Sequence, residues 1–340
     1  MTWDCSMKMM RQGKNERRLD DETGKSVTEL SSRILVALVA VPLILWVSFE
    51  GGVLFFFFIA LVSCVGLWEL YRLMEQKGIF PAKTLGLAGG FAVSFSFIFG
   101  RLQFTLLEFA IRSRLSLPLP TPRQLLVILI LVFIAAVLLY ELFRKRGSPT
   151  ANASATIFGV LYVSLFLGTL IGLRELFVPG DFPAYRYFQL QGAFVTPEIA
   201  QKVYDWGGYT VASIFAILWI SDSAAFFGGK LLGKHKLMER VSPNKTWEGA
   251  AFGFFFAVIA AVWARFFVLD YLSYPQAIVL GLLVGVFGQM GDLFESRLKR
   301  DAGVKDSSHL IPGHGGVLDR FDGLILISPL VYLYLDLAVF

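Results

Sequence analysis

Cysteine and histidine are nearly missing from these 340 residues, with two of the first and three of the second. Cys5 lies in a hydrophilic tail and Cys64 in an apolar run, which excludes a disulfide framework or a thiolate metal site. No serine or cysteine stands at a spacing from His309 or His314 that would argue for a nucleophile–base pair. Charge is scarce at 17% of positions, and there is no internal repeat or low-complexity tract. What is abundant is apolar: 56% of residues are hydrophobic, 33 of them phenylalanine. Runs such as "QLLVILILVFIAAVLLYELF" match the ~20 apolar residues that a bilayer core requires. They lack the polar stripe of a soluble core helix. The chain reads as an all-α, polytopic integral membrane protein.

About nine spans are expected, near 33–49, 52–68, 84–100, 124–142, 153–173, 209–228, 249–269, 275–294 and 323–340. The linker "FEGG" between the first two implies a tight turn. The chain divides into a basic tail (1–30), the N-terminal and middle helices (31–208), and a C-terminal region with two charged loops (209–340). The tail lacks the early apolar segment and small-residue site of a cleaved signal peptide, so the first span is expected to be retained. Of the 31 lysines and arginines, 23 fall in the tail and the alternate connections on its side, and 8 in the opposite ones. That bias predicts a cytoplasmic N-terminus and an outer C-terminus. The formal +5 charge then reflects loops facing anionic lipid, and no nucleic-acid partner is expected.

Polar residues gather in "GGKLLGKHKLMERVSPNKTWEG" and "KDSSHLIPGHGGVLDRFDG", which this topology places on one side of the membrane. Asp222 lies within a span, and Gln289, Asp292, Ser296 and Lys299 share one helical face. Ionisable groups within a span are costly and mark polar interiors. Asp222, Asp292, Asp319 and Asp322 are hard oxygen donors, and without cysteine they suit Mg²⁺ rather than zinc. Lys234, Lys245, Lys299, Arg300, Lys305 and Arg320 supply cations for phosphate. Carboxylates for Mg²⁺ beside cations for phosphate are the parts of phosphoryl or nucleotidyl transfer. Gly315 and Gly316 would let backbone amides approach an anion, and His314 would donate to phosphate or orient a carboxylate. His309 is expected to be structural. Ser242 and Pro243 interrupt the first loop, and Thr246 is a candidate N-cap with Glu248 in the favoured first turn. Glu69 and Arg72 are expected to form a local i,i+3 pair. A transporter of an anionic substrate also places charge within spans, but here the polar groups cluster on one side only.

These residues resemble the bacterial-type CDP-diacylglycerol synthase (phosphatidate cytidylyltransferase) family. That family's pattern is Ser-x-x-Lys-Arg, four residues, Lys-Asp, a short spacer, then His-Gly-Gly-x-x-Asp-Arg-x-Asp. The chain reads "SRLKRDAGVKDSSHLIPGHGGVLDRFD", with Ser296, Lys299, Arg300, Lys305, Asp306, His314, Gly315, Gly316, Asp319, Arg320 and Asp322 in register. The companion segment "SDSAAFFGGKLLGKHKL…SPNKTWEG" is similar too, with Phe226 where tyrosine is frequent and Asn244 where lysine is frequent. The basic tail and the connections near 101–123 and 174–208 are longer than usual for the family. The resemblance implies transfer of CMP from CTP to phosphatidate at the cytoplasmic face of the inner membrane, with one or two Mg²⁺ ions and possible homodimer formation. Asp292 and Asp319 would be the leading metal ligands, with Asp322 and Asp222 next. Lys299, Arg300, Lys305, Arg320 and His314 would face the reacting phosphates, and Lys234, Ser242, Lys245, Thr246, Gly315 and Gly316 the nucleotide. A lipid kinase or another CDP-lipid synthase would use similar parts. The Asp-Gly-x-x-Ala-Arg opening of the CDP-alcohol phosphotransferases is missing.

Overall fold

The computed structural model describes residues 34, 36–113, 119–178, 196–308, 310–311 and 315–340. The basic tail, His309, His314 and the middles of the two long connections, 114–118 and 179–195, lie outside them. Eight helices are long and apolar enough to cross a membrane: α2 (Gly52–Gln76), α3 (Lys83–Arg112), α4 (Pro122–Phe143), α5 (Pro149–Glu175), α6 (Pro197–Leu232), α7 (Trp247–Phe267), α8 (Tyr274–Asp301) and α9 (Leu318–Val339). The first expected span appears as a shorter apolar helix, α1 (Val36–Glu50). The chain is therefore an all-α polytopic membrane protein, with eight full-length spans and one shorter apolar helix where nine spans were expected.

Helix starts follow from local chemistry. Thr121, Ser148, Thr196 and Ser273 each cap a helix through the side-chain oxygen, with proline in the first turn. Gly51 (φ 62°) and Gly52 (φ 54°) turn the chain between α1 and α2 in a conformation that residues with a Cβ rarely adopt. Two helices overrun their apolar cores. α3 continues to Arg112 and α6 begins at Pro197, because backbone hydrogen bonding persists where hydropathy has already fallen.

α5 is the central, mostly buried helix and α4 a peripheral, mostly exposed one. α5 contains a π-helical turn at Val160–Leu165. α6, α7, α8 and α9 pack in sequence order. Small residues permit this closeness. A Cβ on Gly249 would lie 2.6 Å from the Ala225 carbonyl oxygen, and one on Gly291 would lie 2.6 Å from the Asp322 carbonyl oxygen. The connection from α6 to α7 is not plain loop. β1 (Lys236–Met238) and β2 (Ser242–Thr246) pair antiparallel in a small hairpin. Its charged, proline-containing sequence shows none of the apolar alternation by which strands are recognised.

Polar contacts tie the helix ends together. At one end, Lys77 pairs with Asp301, Lys83 with Glu75 (2.6 Å), and Arg144 with Glu141 (2.8 Å). At the other, Arg101 pairs with Glu175 and Lys202 with Asp270 (2.9 Å). Buried Arg174 there donates from Nε to the Ser48 carbonyl (3.0 Å) and from Nη2 to that of Phe49 (3.0 Å), closing the C-terminal turn of α1.

Candidate functional site

The end of the bundle that holds Lys77 and Asp301 also carries both charged connections. Between them lies a cavity of about 840 Å³. One side is polar, with Asp222, Lys230, Ser242, Lys245, Thr246, Gln289, Asp292, Lys299, Asp306, Asp319, Arg320 and Asp322. The other is apolar, with Val36, Ala37, Ala40, Val41 and Ile44 of α1 and Phe215, Trp219 and Phe226 of α6. Three helices (α6, α8 and α9), the hairpin and Asp306 in the α8–α9 connection therefore supply the polar groups, and the first helix supplies much of the apolar wall.

Asp222, Asp292 and Asp322 come from α6, α8 and α9 and lie close enough to repel one another electrostatically. Lys245, on β2, forms an ion pair with Asp292, and Ser296 Oγ donates to the other carboxylate oxygen at 3.3 Å. Gln289 donates to the Ala250 and Gly285 carbonyls, 3.0 Å each, which locks α8 against α7. Among the described residues no three histidine, cysteine or acidic side chains form a ready-made metal cage. The donor chemistry nevertheless fits a hard cation: Asp222, Asp292 and Asp322 share one cavity, and among the described residues Lys245 alone forms an ion pair with any of the three.

Asp319 is held differently. Lys299 Nζ lies 2.6 Å from its Oδ1, while Oδ2 accepts from Gly316 N (2.7 Å), Ser307 Oγ (2.9 Å) and Ser307 N (3.0 Å). Its carboxylate is already occupied in building the glycine loop. Gly315, at φ 81°, makes the turn, and its carbonyl accepts from Ile311 N at 2.9 Å. Contrary to the sequence expectation, the Gly316 amide is turned to Asp319 and not left open for an anion. A Cβ at Gly316 would lie 2.0 Å from Ser307 Oγ, so glycine is required by close packing there.

Three candidate cations stand outside the cavity lining. Arg300 donates to the carbonyls of Val241 (Nε, 3.4 Å) and Val304 (Nη1, 3.0 Å), so it ties the hairpin to the end of α8. Lys305 is exposed. Lys234 contributes its backbone amide to Glu248 at 3.1 Å while its side chain is exposed. Arg320 and Lys230, by contrast, line the cavity and have no ion-pair partner among the described residues. Thr246 caps α7, accepting from Gly249 N at 3.2 Å, and Glu248 pairs with His235 Nδ1 (2.6 Å). Asn244 and Phe226, the two departures from the family pattern, are both part of the lining.

Two acidic residues have roles that sequence reasoning missed. Glu69 is fully buried and accepts from Leu318 N (2.7 Å), Val317 N (3.0 Å), Ser307 Oγ (3.2 Å) and Ser308 Oγ. The expected pair with Arg72 is not formed; Arg72 lies over the Trp68 ring, 4.8 Å from its centroid. No local signal could have revealed these partners, which lie more than 230 residues away. Glu295 is buried on α8 and pairs with Lys299, and here the i,i+4 spacing was visible in "ESRLK".

The chain matches the cytidylyltransferase family over residues 31–338. It is 31% identical to a phosphatidate cytidylyltransferase of Synechocystis sp., over 91% of this chain and 97% of that protein. It is 33% identical to the Brucella melitensis protein of the same name (91% and 94% covered) and 32% identical to that of Bacillus subtilis (74% and 96%). With a match of this extent and a cavity of this chemistry, the chain belongs to the cytidylyltransferase family and is a membrane-embedded nucleotidyltransferase.

Proposed function

We propose that this protein transfers CMP from CTP to phosphatidate, giving CDP-diacylglycerol and pyrophosphate, at the cytoplasmic face of the inner membrane. The observation that carries the reading is the mixed lining of one cavity, polar from α8, α9, the hairpin and Asp222 and Lys230 of α6, and apolar from α1 and from Phe215, Trp219 and Phe226 of α6. A nucleotide needs the first surface and a diacylglycerol body the second. The names of the similar proteins support the same substrates. The positive-inside bias supports the orientation.

The attacking group is a phosphate monoester oxygen of phosphatidate, already anionic near neutral pH. It forms a bond to the α-phosphorus of CTP as the bond to the β-phosphate oxygen breaks and pyrophosphate leaves. No general base is needed, in keeping with the scarcity of histidine. The obstacle is bringing two polyanions together, which fixed cations and orientation relieve. Lys245, Lys299, Arg320 and Lys230 line the polar wall and are placed to meet phosphate oxygens. Asp222, Asp292 and Asp322 would hold Mg²⁺, as one ion or two, which when bound would offset triphosphate charge. Asp319 can join them through Oδ1 once Lys299 is drawn to phosphate.

Membranes containing the protein, given phosphatidate and each nucleoside triphosphate in turn, test the reading. CTP-dependent formation of a CDP-lipid with release of pyrophosphate is expected. Equal use of ATP, with phosphorylated lipid as product, would replace this reading with a lipid kinase.

A further inference from the structure

Lys299 has two carboxylates for one ammonium. Asp319 Oδ1 lies 2.6 Å from Nζ, and Glu295, one helical turn earlier on α8, forms a second ion pair with it. Glu295 is entirely buried; its Oε2 meets the Lys299 ammonium, and its Oε1 accepts no hydrogen bond among the described residues. Burying a carboxylate is costly, and Asp319 alone would neutralise the lysine. A buried polar atom left without a hydrogen bond also needs a reason.

A second such atom lies nearby. Tyr162 comes from the π-helical turn of α5, is 6% exposed, and has no hydrogen-bond partner for its hydroxyl. It is close enough to Glu295 and Asp322 to interact with both electrostatically. Its ring is held in place, stacked on Phe158 (5.3 Å, 6°) and edge-on to Phe294 (5.2 Å, 69°), the neighbour of Glu295. An O–H donor and a carboxylate acceptor are thus kept near one another inside the bundle, behind the one lysine that reaches from α8 into the cavity wall.

We propose that Glu295, with Tyr162 behind it, is the positioning residue for Lys299. Glu295 keeps the ammonium at the cavity wall when Asp319 releases it, so that the lysine meets the triphosphate without first having to be ordered. The inference rests on the reading of Lys299 as a contact to the nucleotide phosphates.

The experiment compares KM and kcat for CTP and for phosphatidate in the full-length protein carrying Lys299→Ala, Glu295→Gln, both changes together, or Tyr162→Phe. Lys299→Ala tests the underlying reading and is expected to raise KM for CTP by about tenfold or more. Glu295→Gln is expected to raise it by about fivefold while KM for phosphatidate stays within about twofold. Residues that act as a unit do not add, so the double variant should be no worse than Lys299→Ala. Tyr162→Phe should shift KM for CTP in the same direction by about twofold to threefold. If Lys299→Ala leaves KM for CTP unchanged, the phosphate reading falls and the inference with it. If Lys299→Ala behaves as expected but the effect of Glu295→Gln multiplies with it, or appears only as lowered thermal stability, Glu295 is structural and the inference alone is overturned. Should Glu295→Gln fail to accumulate in membranes, Tyr162→Phe decides in the same assay, and an unchanged KM for CTP overturns the proposal.

Discussion

The carboxylate of Glu69 accepts the Leu318 backbone amide at 2.7 Å, so a side chain of α2 caps a helix that begins 249 residues later. Helix N-termini carry unsatisfied amides and partial positive charge, and a buried carboxylate satisfies both. The same carboxylate holds Val317 N, Ser307 Oγ and Ser308 Oγ, so it ties the middle of the connection to the helix start that carries Asp319.

Glu69→Ala should therefore loosen that connection. Hydrogen bonds to a charged group contribute about 1.5–3 kcal/mol each, and their loss strands buried donors. Activity should drop by at least about tenfold, with faster protease cleavage between residues 302 and 316. Glu69→Gln, which keeps one acceptor oxygen, should fall between Ala and the parent. Normal activity with unaltered cleavage in Glu69→Ala would refute the bracing role.

Asp292→Asn should lower kcat by at least about 10³-fold in a protein that still inserts into membranes. Asparagine keeps the size of aspartate and removes the charge that would hold a cation. Asp319→Asn should be as inactive, and it should also sensitise the glycine loop to protease because an amide NH2 replaces one of the two oxygens that accept from Lys299, Ser307 and Gly316. Asp336, paired with Arg123 (3.6 Å), is the control, and Asp336→Asn should change turnover little. A retained turnover in Asp292→Asn, or an equal loss in Asp336→Asn, would show the site to be misassigned.

Thorough chelation of divalent cations should abolish pyrophosphate release, and Mg²⁺ should restore it. The motivation is a cavity with five aspartates and no soft ligands in its lining. Undiminished turnover in chelator would remove the metal from the reaction.

Gly291→Ala should destabilise the packing of α8 on α9. The added methyl would stand 2.6 Å from the Asp322 carbonyl oxygen and 2.9 Å from Gly323 Cα, both backbone atoms that cannot rotate away. Overpacking of this kind costs about 1–3 kcal/mol, and it displaces Asp322. Thermal unfolding in detergent and kcat should both report it; an unchanged midpoint would mean the helices separate freely.

Labelling of single cysteines placed at Lys236 and Ser308, in a background lacking Cys5 and Cys64, should report the cytoplasmic compartment for both. The two positions lie in the connections that flank one cavity, so they must agree with one another whichever side they face. Labelling from outside would invert the proposed orientation.

Much of this protein was determined by composition alone. An apolar run of bilayer length has to be a helix, because lipid offers its backbone no other hydrogen-bond partners. The order of the long helices could therefore be read, with their ends in error and nine full spans expected where eight and one shorter apolar helix stand. Residue type likewise announced the chemistry: aspartates, lysines and glycines at fixed spacing between apolar spans mark an anion and cation site wherever the chain happens to fold. What the sequence could not decide was which of those residues face the cavity. Arg300 and Lys299 are adjacent, yet one ties loop carbonyls and the other lines the polar wall, because successive positions on a helix point about 100° apart and only packing selects the inward one. Asp319 and Asp292 are alike in sequence, and their different partners come from a loop and a hairpin supplied by distant segments. Glu69 and Tyr162 carry no local signal at all, since their meaning lies in what the tertiary structure brings to them across the bundle.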